Sequence, residues 1–169
     1  MRTCALAGPL RPSSRIGADG VLGPNPAGDE GSASLCQLVS PVSEAHLDGV
    51  MHLFAQAWWT RSRPRDEVAA IIRSPQPTVG LVTPEGRLVG FVRVLTDFRF
   101  KAVIVDLIVD GSVRGAGNGR RLLRGVLEHP ALAGVEDFEL YCDEELVPYY
   151  EAHGFAQPVR TRFMRRSRS

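Results

Sequence analysis

The stretch that most constrains this chain is KAVIVDLIVD, residues 101–110. Apolar, mostly β-branched residues follow one another here without the polar alternation of a half-exposed strand. Such a run reads as a strand with protein on both faces. One position interrupts it, Asp106. The residues beyond it, SVRGAGNGRRLL, hold three glycines within five positions, then basic groups at Arg120, Arg121 and Arg124 where an apolar helical pattern begins. A helix N-terminus already carries partial positive charge. Arginines there are unfavourable unless an anion joins them.

Periodicity lays out the rest around this strand. Residues 35–40 read as a short strand. Ser43 can cap a helix running to about Trp58, with Leu47, Val50, Met51, Phe54 and Ala57 near helical spacing. Pro64 suits the first turn of a second helix carrying Val68, Ala69, Ile71 and Ile72. Residues 78–83 and 87–96 flank Pro84-Glu85-Gly86 as a hairpin. After the glycine loop, a helix from about Gly117 to Glu128 buries Leu122, Leu123, Val126 and Leu127. Residues 135–142 follow as a strand, 144–154 as a short helix, and 155–164 as one or two final strands. The order β-α-α-β-β-β-α-β-α-β, with a right-handed crossover at the loop helix, predicts an α+β fold. Its central sheet is mixed and mostly antiparallel, with helices on both faces.

Residues 1–34 hold six Gly, four Pro and four Ser with few large apolar residues. They cannot bury enough surface to offset the entropy of ordering, so a disordered tail is expected. One domain is expected over 35–164, followed by a basic end over 165–169. A length of 169 residues with 44% hydrophobic content suits a single core. The net charge of +1 gives no global reason for nucleic-acid or membrane binding. Five arginines, from Arg160 to Arg168, lie beyond residue 156 without an acid, but only Phe163 is interleaved with them. That is a weak case for nucleic acid. Three widely spaced cysteines without a CxxC argue against a disulfide framework or zinc site and for a reducing compartment, the cytoplasm. No metal site is expected. No apolar run approaches the roughly 18 residues that span a bilayer. Arg2, Arg11 and Arg15 leave an organelle transit peptide as a minor alternative.

Two phosphate-binding loops fail on spacing. A Walker loop needs GxxxxGK followed by Ser or Thr, and none occurs. A dinucleotide loop needs GxGxxG, but counting from Gly115 and Gly117 the third position is Arg120. A flexible strand–helix turn is the bland reading. Arg114-x-x-Gly117-x-Gly119, after an apolar strand and before an amphipathic helix, resembles the acyl-CoA loop of the GCN5-related N-acetyltransferases. VPYYEAHGF, residues 147–155, resembles that family's FYxxxGF segment, with Tyr149 in the Phe position and Tyr150 in the Tyr position. The resemblance covers about Leu35–Met164. GRLVGFVRVLTD and ELYCDEELVPYYEAHGF look like an uncharacterised bacterial and plant branch.

The resemblance implies acetyl-CoA as co-substrate and a primary amine, small molecule or protein, as acceptor. It implies that backbone groups of Leu107, Ile108 and Val109 line pantetheine, with the Val109 N–H aimed at the thioester oxygen. Backbone N–H groups of Gly115, Ala116, Gly117, Asn118, Gly119 and Arg120 would hold the pyrophosphate, helped by the side chains of Arg114 and Arg120. Arg121 and Arg124 are expected on a solvated face or near the 3′-phosphate. Tyr150 is expected to protonate the leaving thiolate. Asp106 is the candidate base, because a buried acid needs a reason; its alternative is a structural pair with Arg93 or Arg99. Asp143 stands where relatives often carry an asparagine that contacts pantetheine, which puts that contact in doubt. Trp58 or Trp59 would line the acceptor pocket with Phe98 or Phe100. The histidines show no metal or triad spacing. A non-catalytic acyl-CoA-binding or sensor module is the competing class, and the dimers of many relatives leave a homodimer open.

Overall fold

The computed structural model describes residues 36–167. The tail expected over 1–34, Leu35 of the first strand, and residues 168–169 lie outside the described residues. Five strands form one sheet in the order β1 to β5: β1 Gln37–Val39, β2 Thr78–Val82, β3 Leu88–Thr96, β4 Lys101–Val109 and β5 Asp137–Leu140. The first four run antiparallel and β5 joins β4 in parallel. Helices α1 Leu47–Ala55 and α2 Arg65–Arg73 precede β2, α3 Asn118–Leu127 links β4 to β5, and α4 Val147–Glu151 follows. The expected α+β architecture is the one observed. No helix among the described residues is long and apolar enough to cross a membrane.

Two apolar cores lie on opposite faces of the sheet. On one, Val50, Leu53 and Phe54 of α1 and Val68 and Ile72 of α2 meet Leu88, Phe91 and Ile108. On the other, Leu122, Leu123 and Val126 of α3 meet Val79, Leu81, Val92, Ile104 and Val109, together with Leu146 and Tyr150. The run in β4 is apolar because both its faces are covered, as its composition requires.

The first helix is shorter than expected. Its entry is a 3₁₀ turn over Glu44–His46, where the Ser43 N–H donates to His46 Nδ1 at 3.3 Å. Its end comes at Ala55, because the Thr60 hydroxyl takes the Phe54 carbonyl at 2.8 Å and starts a series of turns. The strands expected over 155–164 are absent: residues 155–167 contain neither helix nor strand. Pro158 removes a backbone donor there. Nothing in the body covers Val159 or Met164, each 89% exposed. Phe163 alone finds an aromatic neighbour, Tyr141, at 4.6 Å between ring centroids.

Gly80 shows how tightly β2 is enclosed. A Cβ there would stand 2.7 Å from Leu88 Cδ1, 2.9 Å from Val42 Cγ2 and 3.1 Å from Val39 Cγ2. Gly80→Ala is therefore expected to destabilise the fold by about 1–3 kcal/mol through overpacking. A lower urea midpoint with an unchanged m-value would show it.

Candidate active site

The site begins where two strands part. β5 pairs with β4 from Lys101↔Asp137 to Ile104↔Leu140 and then ends, while β4 continues to Val109. Among the described residues, 105–109 keep β3 on one side and have an open edge on the other. Backbone direction follows from one bond. The Asp110 N–H donates to the Val89 carbonyl at 2.9 Å, and Val109 lies opposite Gly90. In an antiparallel ladder this makes Val109 a non-hydrogen-bonded position, so its N–H and C=O both turn away from β3. The carbonyl accepts from Arg114 Nε at 3.0 Å. The N–H faces the open edge.

A bulge marks the opening. Phe91 pairs with Ile108 and Arg93 with Val105, so Asp106 and Leu107 oppose the single residue Val92. Asp106 takes a left-handed φ of 55°. Ala102 and Ile104 face the α3 core, and a regular strand would send Asp106 there too. The bulge turns it to the opposite face. There Arg63 donates from Nη1 at 2.7 Å and Nη2 at 3.0 Å, and Arg93 donates from Nε at 2.5 Å. The Asp106 side chain is 1% exposed, those of Arg63 and Arg93 13% and 17%. Arg63 also lies over the Phe54 ring, 5.0 Å from its centroid. Both carboxylate oxygens are thus occupied by guanidinium donors. Of the two alternatives for Asp106, the ion-paired one describes this geometry. Its partners are Arg93 and, from the α1–α2 connection, Arg63, not Arg99.

Beyond Val109 the chain turns into the glycine loop. Gly115 and Gly117 have φ of 78° and 74°, and a Cβ at either would meet nothing within 4 Å. The left-handed backbone calls for glycine and leaves open space above it. Gly117 caps α3, whose first turn contains no acid. The first intrahelical bond runs from the Arg121 N–H to the Gly117 carbonyl, so helix geometry leaves the amides of Asn118, Gly119 and Arg120 aimed out of the N-terminus. Asn118 turns its side chain inward to the Val113 carbonyl at 3.0 Å, so only its backbone is presented. Arg121 is not solvated as expected. It reaches the Cys36 carbonyl and, at 3.4 Å, Asn118 Oδ1, tying the loop helix to β1. Arg124 is exposed beside Glu128.

Tyr150 is 8% exposed and shares its core with Leu107 and Val109. Its ring meets Tyr149 at 5.0 Å and Phe155 at 5.8 Å. The Tyr149 hydroxyl is buried and, among the described residues, has no hydrogen-bond partner. Burial pushes its pKa up to about 12 against the pull of Arg120, so it is a protonated donor at neutral pH. The Trp59 indole N–H is likewise buried and, among the described residues, unpartnered, while Trp58 is half exposed. Phe98 and Phe100 are exposed in the β3–β4 connection.

The family model described as "Acetyltransferase (GNAT) domain" matches residues 42–166. The chain belongs to the GNAT family. Among similar proteins, an uncharacterised N-acetyltransferase, ycf52, of Gracilaria tenuistipitata var. liui is 26% identical over 116 residues, 67% of this chain and 63% of that protein. The chloroplastic GCN5-related N-acetyltransferase 1 of Arabidopsis thaliana is 29% identical over 114 residues, 65% of this chain and 56% of its own. The alignments thus span less than two thirds of either relative. A crystal structure of a putative acetyltransferase from Deinococcus radiodurans R1 superposes with a TM-score of 0.61 at 29% identity, covering 80% of this chain and 91% of that one.

A second buried aspartate escaped the sequence reading of this GNAT chain. Asp110 is 4% exposed. It accepts from the Ser112 N–H at 2.9 Å and hydroxyl at 2.5 Å and from Gln56 Nε2 at 3.1 Å, and His52 Nε2 lies 3.1 Å away. The available signal was the i, i+4 spacing of His52 and Gln56 on α1, which puts both on one helix face. Burial alone would raise the Asp110 pKa. The Ser112 donors, Gln56 and the Arg87 charge outweigh it and hold the carboxyl at about 2. The other histidines do local work. His129 Nδ1 accepts from the Ala131 N–H at 3.2 Å, His46 caps its turn, and His153 Nδ1 lies 2.7 Å from the Tyr149 carbonyl. Among the described residues no group of three His, Cys, Asp or Glu is placed to hold a metal.

Removing the charge in Asp106→Asn leaves two part-buried guanidiniums uncompensated. A loss of about 3–5 kcal/mol in denaturant unfolding is expected. For Asp110 the folded pKa lies below the unfolded value near 3.8. Its stabilisation is therefore full above about pH 4 and disappears as pH falls through about 2. The shift corresponds to about 2 kcal/mol. The gap in urea midpoint between wild type and Asp110→Asn should close over that window.

Proposed function

We propose that this chain transfers an acetyl group from acetyl-CoA to a primary amine by direct attack in a ternary complex. The observation that carries the reading is the open edge of β4, with the Val109 N–H turned into it and the Gly115–Gly117 loop at its far end. The residues present fit CoA. Pantetheine would lie along residues 107–109, and the pyrophosphate would approach the loop where no Cβ intrudes, against the N-terminus of α3 and the charge of Arg120. That anion resolves the excess of positive charge at the helix start. The unpartnered Tyr149 hydroxyl, close enough to Arg120 to sense its charge, is a further donor on this side.

The amine nitrogen attacks the thioester carbonyl carbon, and negative charge moves to the carbonyl oxygen. The Val109 N–H stabilises that oxygen, a contribution on the order of 3 kcal/mol for one such donor. The C–S bond then breaks, and the thiolate takes a proton from Tyr150. We assign Asp106 to holding Arg63 and Arg93 rather than to proton abstraction, since binding a proton would dismantle that set. The amine therefore arrives neutral or loses its proton to water.

CoA should raise the melting temperature of the wild-type protein. Tyr150→Phe should keep that shift while kcat on the best amine falls about 100-fold. Unchanged turnover would remove Tyr150 from the mechanism. A CoA shift without turnover of any amine would favour the sensor module, and no CoA shift would sink the reading as a whole.

A further inference from the structure

Two guanidiniums and one carboxylate meet at the bulge, which leaves one positive charge in excess. Arg63 and Arg93 retain little exposure, 13% and 17% of their side chains. Charge held that far from water is costly unless it is paired. Among the described residues no other acid pairs with either arginine, and the Arg93 Nη1 and Nη2 groups have no protein acceptor. One further anion would neutralise the cluster. Its place is defined too. Asp106 belongs to the stretch of β4 that β5 has left, and Arg63 comes from the α1–α2 connection over the same face. The surplus charge thus borders the opening in which the acetyl group would be transferred, on the face opposite α3 and its loop.

We infer that the acceptor carries a carboxylate beside its amine, as a free amino acid does, and that Arg63 and Arg93 bind that carboxylate. This deepens the acetyltransferase reading and rests on it. A guanidinium matches a carboxylate with two parallel N–H donors. Arg93 spends only Nε on Asp106, which leaves its two terminal nitrogens for a second carboxylate. The incoming anion brings the cluster to neutrality. Asp106 holds both arginines in place beforehand, so little ordering is left to be done on binding. Substrates lacking the anion would leave the surplus charge uncompensated and bind less well.

The test compares the standard amino acids, each as the free acid, the methyl ester and the decarboxylated amine, as acceptors in acetyl-CoA consumption by the full chain. The free acid of the best side chain should exceed its ester and its amine at least about tenfold in kcat/KM, mostly through KM. In Arg63→Gln that ratio should fall towards one, with CoA still raising the melting temperature. Esters or simple amines used as well as the acids by wild type would overturn the inference, as would no turnover of any free acid. Retention of the full preference in Arg63→Gln would overturn its assignment to this cluster. Should that variant lose its CoA response, the wild-type comparison of acid with ester decides alone. Turnover without carboxylate preference leaves the acetyltransferase reading standing, whereas absence of a CoA shift removes it.

Discussion

The buried contact of Asp106 with Arg63 and Arg93 is the interaction on which the site depends. A left-handed φ at a non-glycine residue costs on the order of 1–2 kcal/mol, although aspartate tolerates it better than most. That cost persists only because the carboxylate gains three charge-assisted bonds on the far face. The extra residue in β4 has a second consequence. Beyond the bulge, Ile108 faces the α1–α2 core and Val109 the α3 core, the reverse of the phase set by Ala102 and Ile104. One inserted residue therefore decides which side of the sheet each later side chain serves.

The opening also has to remain open. An unpaired strand edge invites pairing, and leaving backbone groups unmet inside a protein is costly. Arg114 removes part of that cost by covering the Val109 carbonyl from the loop side. Asp110, one residue on, is fixed by Ser112 below and Gln56 above. The same Gln56 side chain accepts from the Gly111 N–H at 3.0 Å. The strand end, the loop entry and α1 are thus joined by side chains that neither the loop motif nor the strand pattern announces.

The helices and the first five strands were legible because their signals are local. Apolar spacing marks α1 and α3, Pro84-Glu85-Gly86 marks the β2–β3 turn, and the uninterrupted run in β4 announces cover on both faces. The turn made by the glycine loop was legible for the same reason, since its three glycines fall between the strand and helix patterns. What escaped was non-local. Arg63 lies 43 residues from Asp106 in sequence, so nothing near either residue reveals the pair. His52 looked like an isolated surface histidine, yet a carboxylate 58 residues away orients it. The final strands failed for a different reason. The alternation of Val159, Thr161 and Phe163 with arginines reads as a strand, but a strand also needs a partner edge, and sequence does not state which edges remain available.

The two buried aspartates frame the open edge four residues apart, and both turn to the α1–α2 face. Asp106 ties the bulge to the α1–α2 connection through Arg63, while Asp110 ties the strand end to α1 through His52 and Gln56. β4 and the α1–α2 side are therefore fastened together at both ends of the open stretch. A thioester laid on the open edge would keep a fixed position relative to an amine held by that wall. Positioning of this kind can supply a large part of a rate enhancement. An aspartate engaged by two arginines fixes the geometry of the bulge and the position of both guanidiniums.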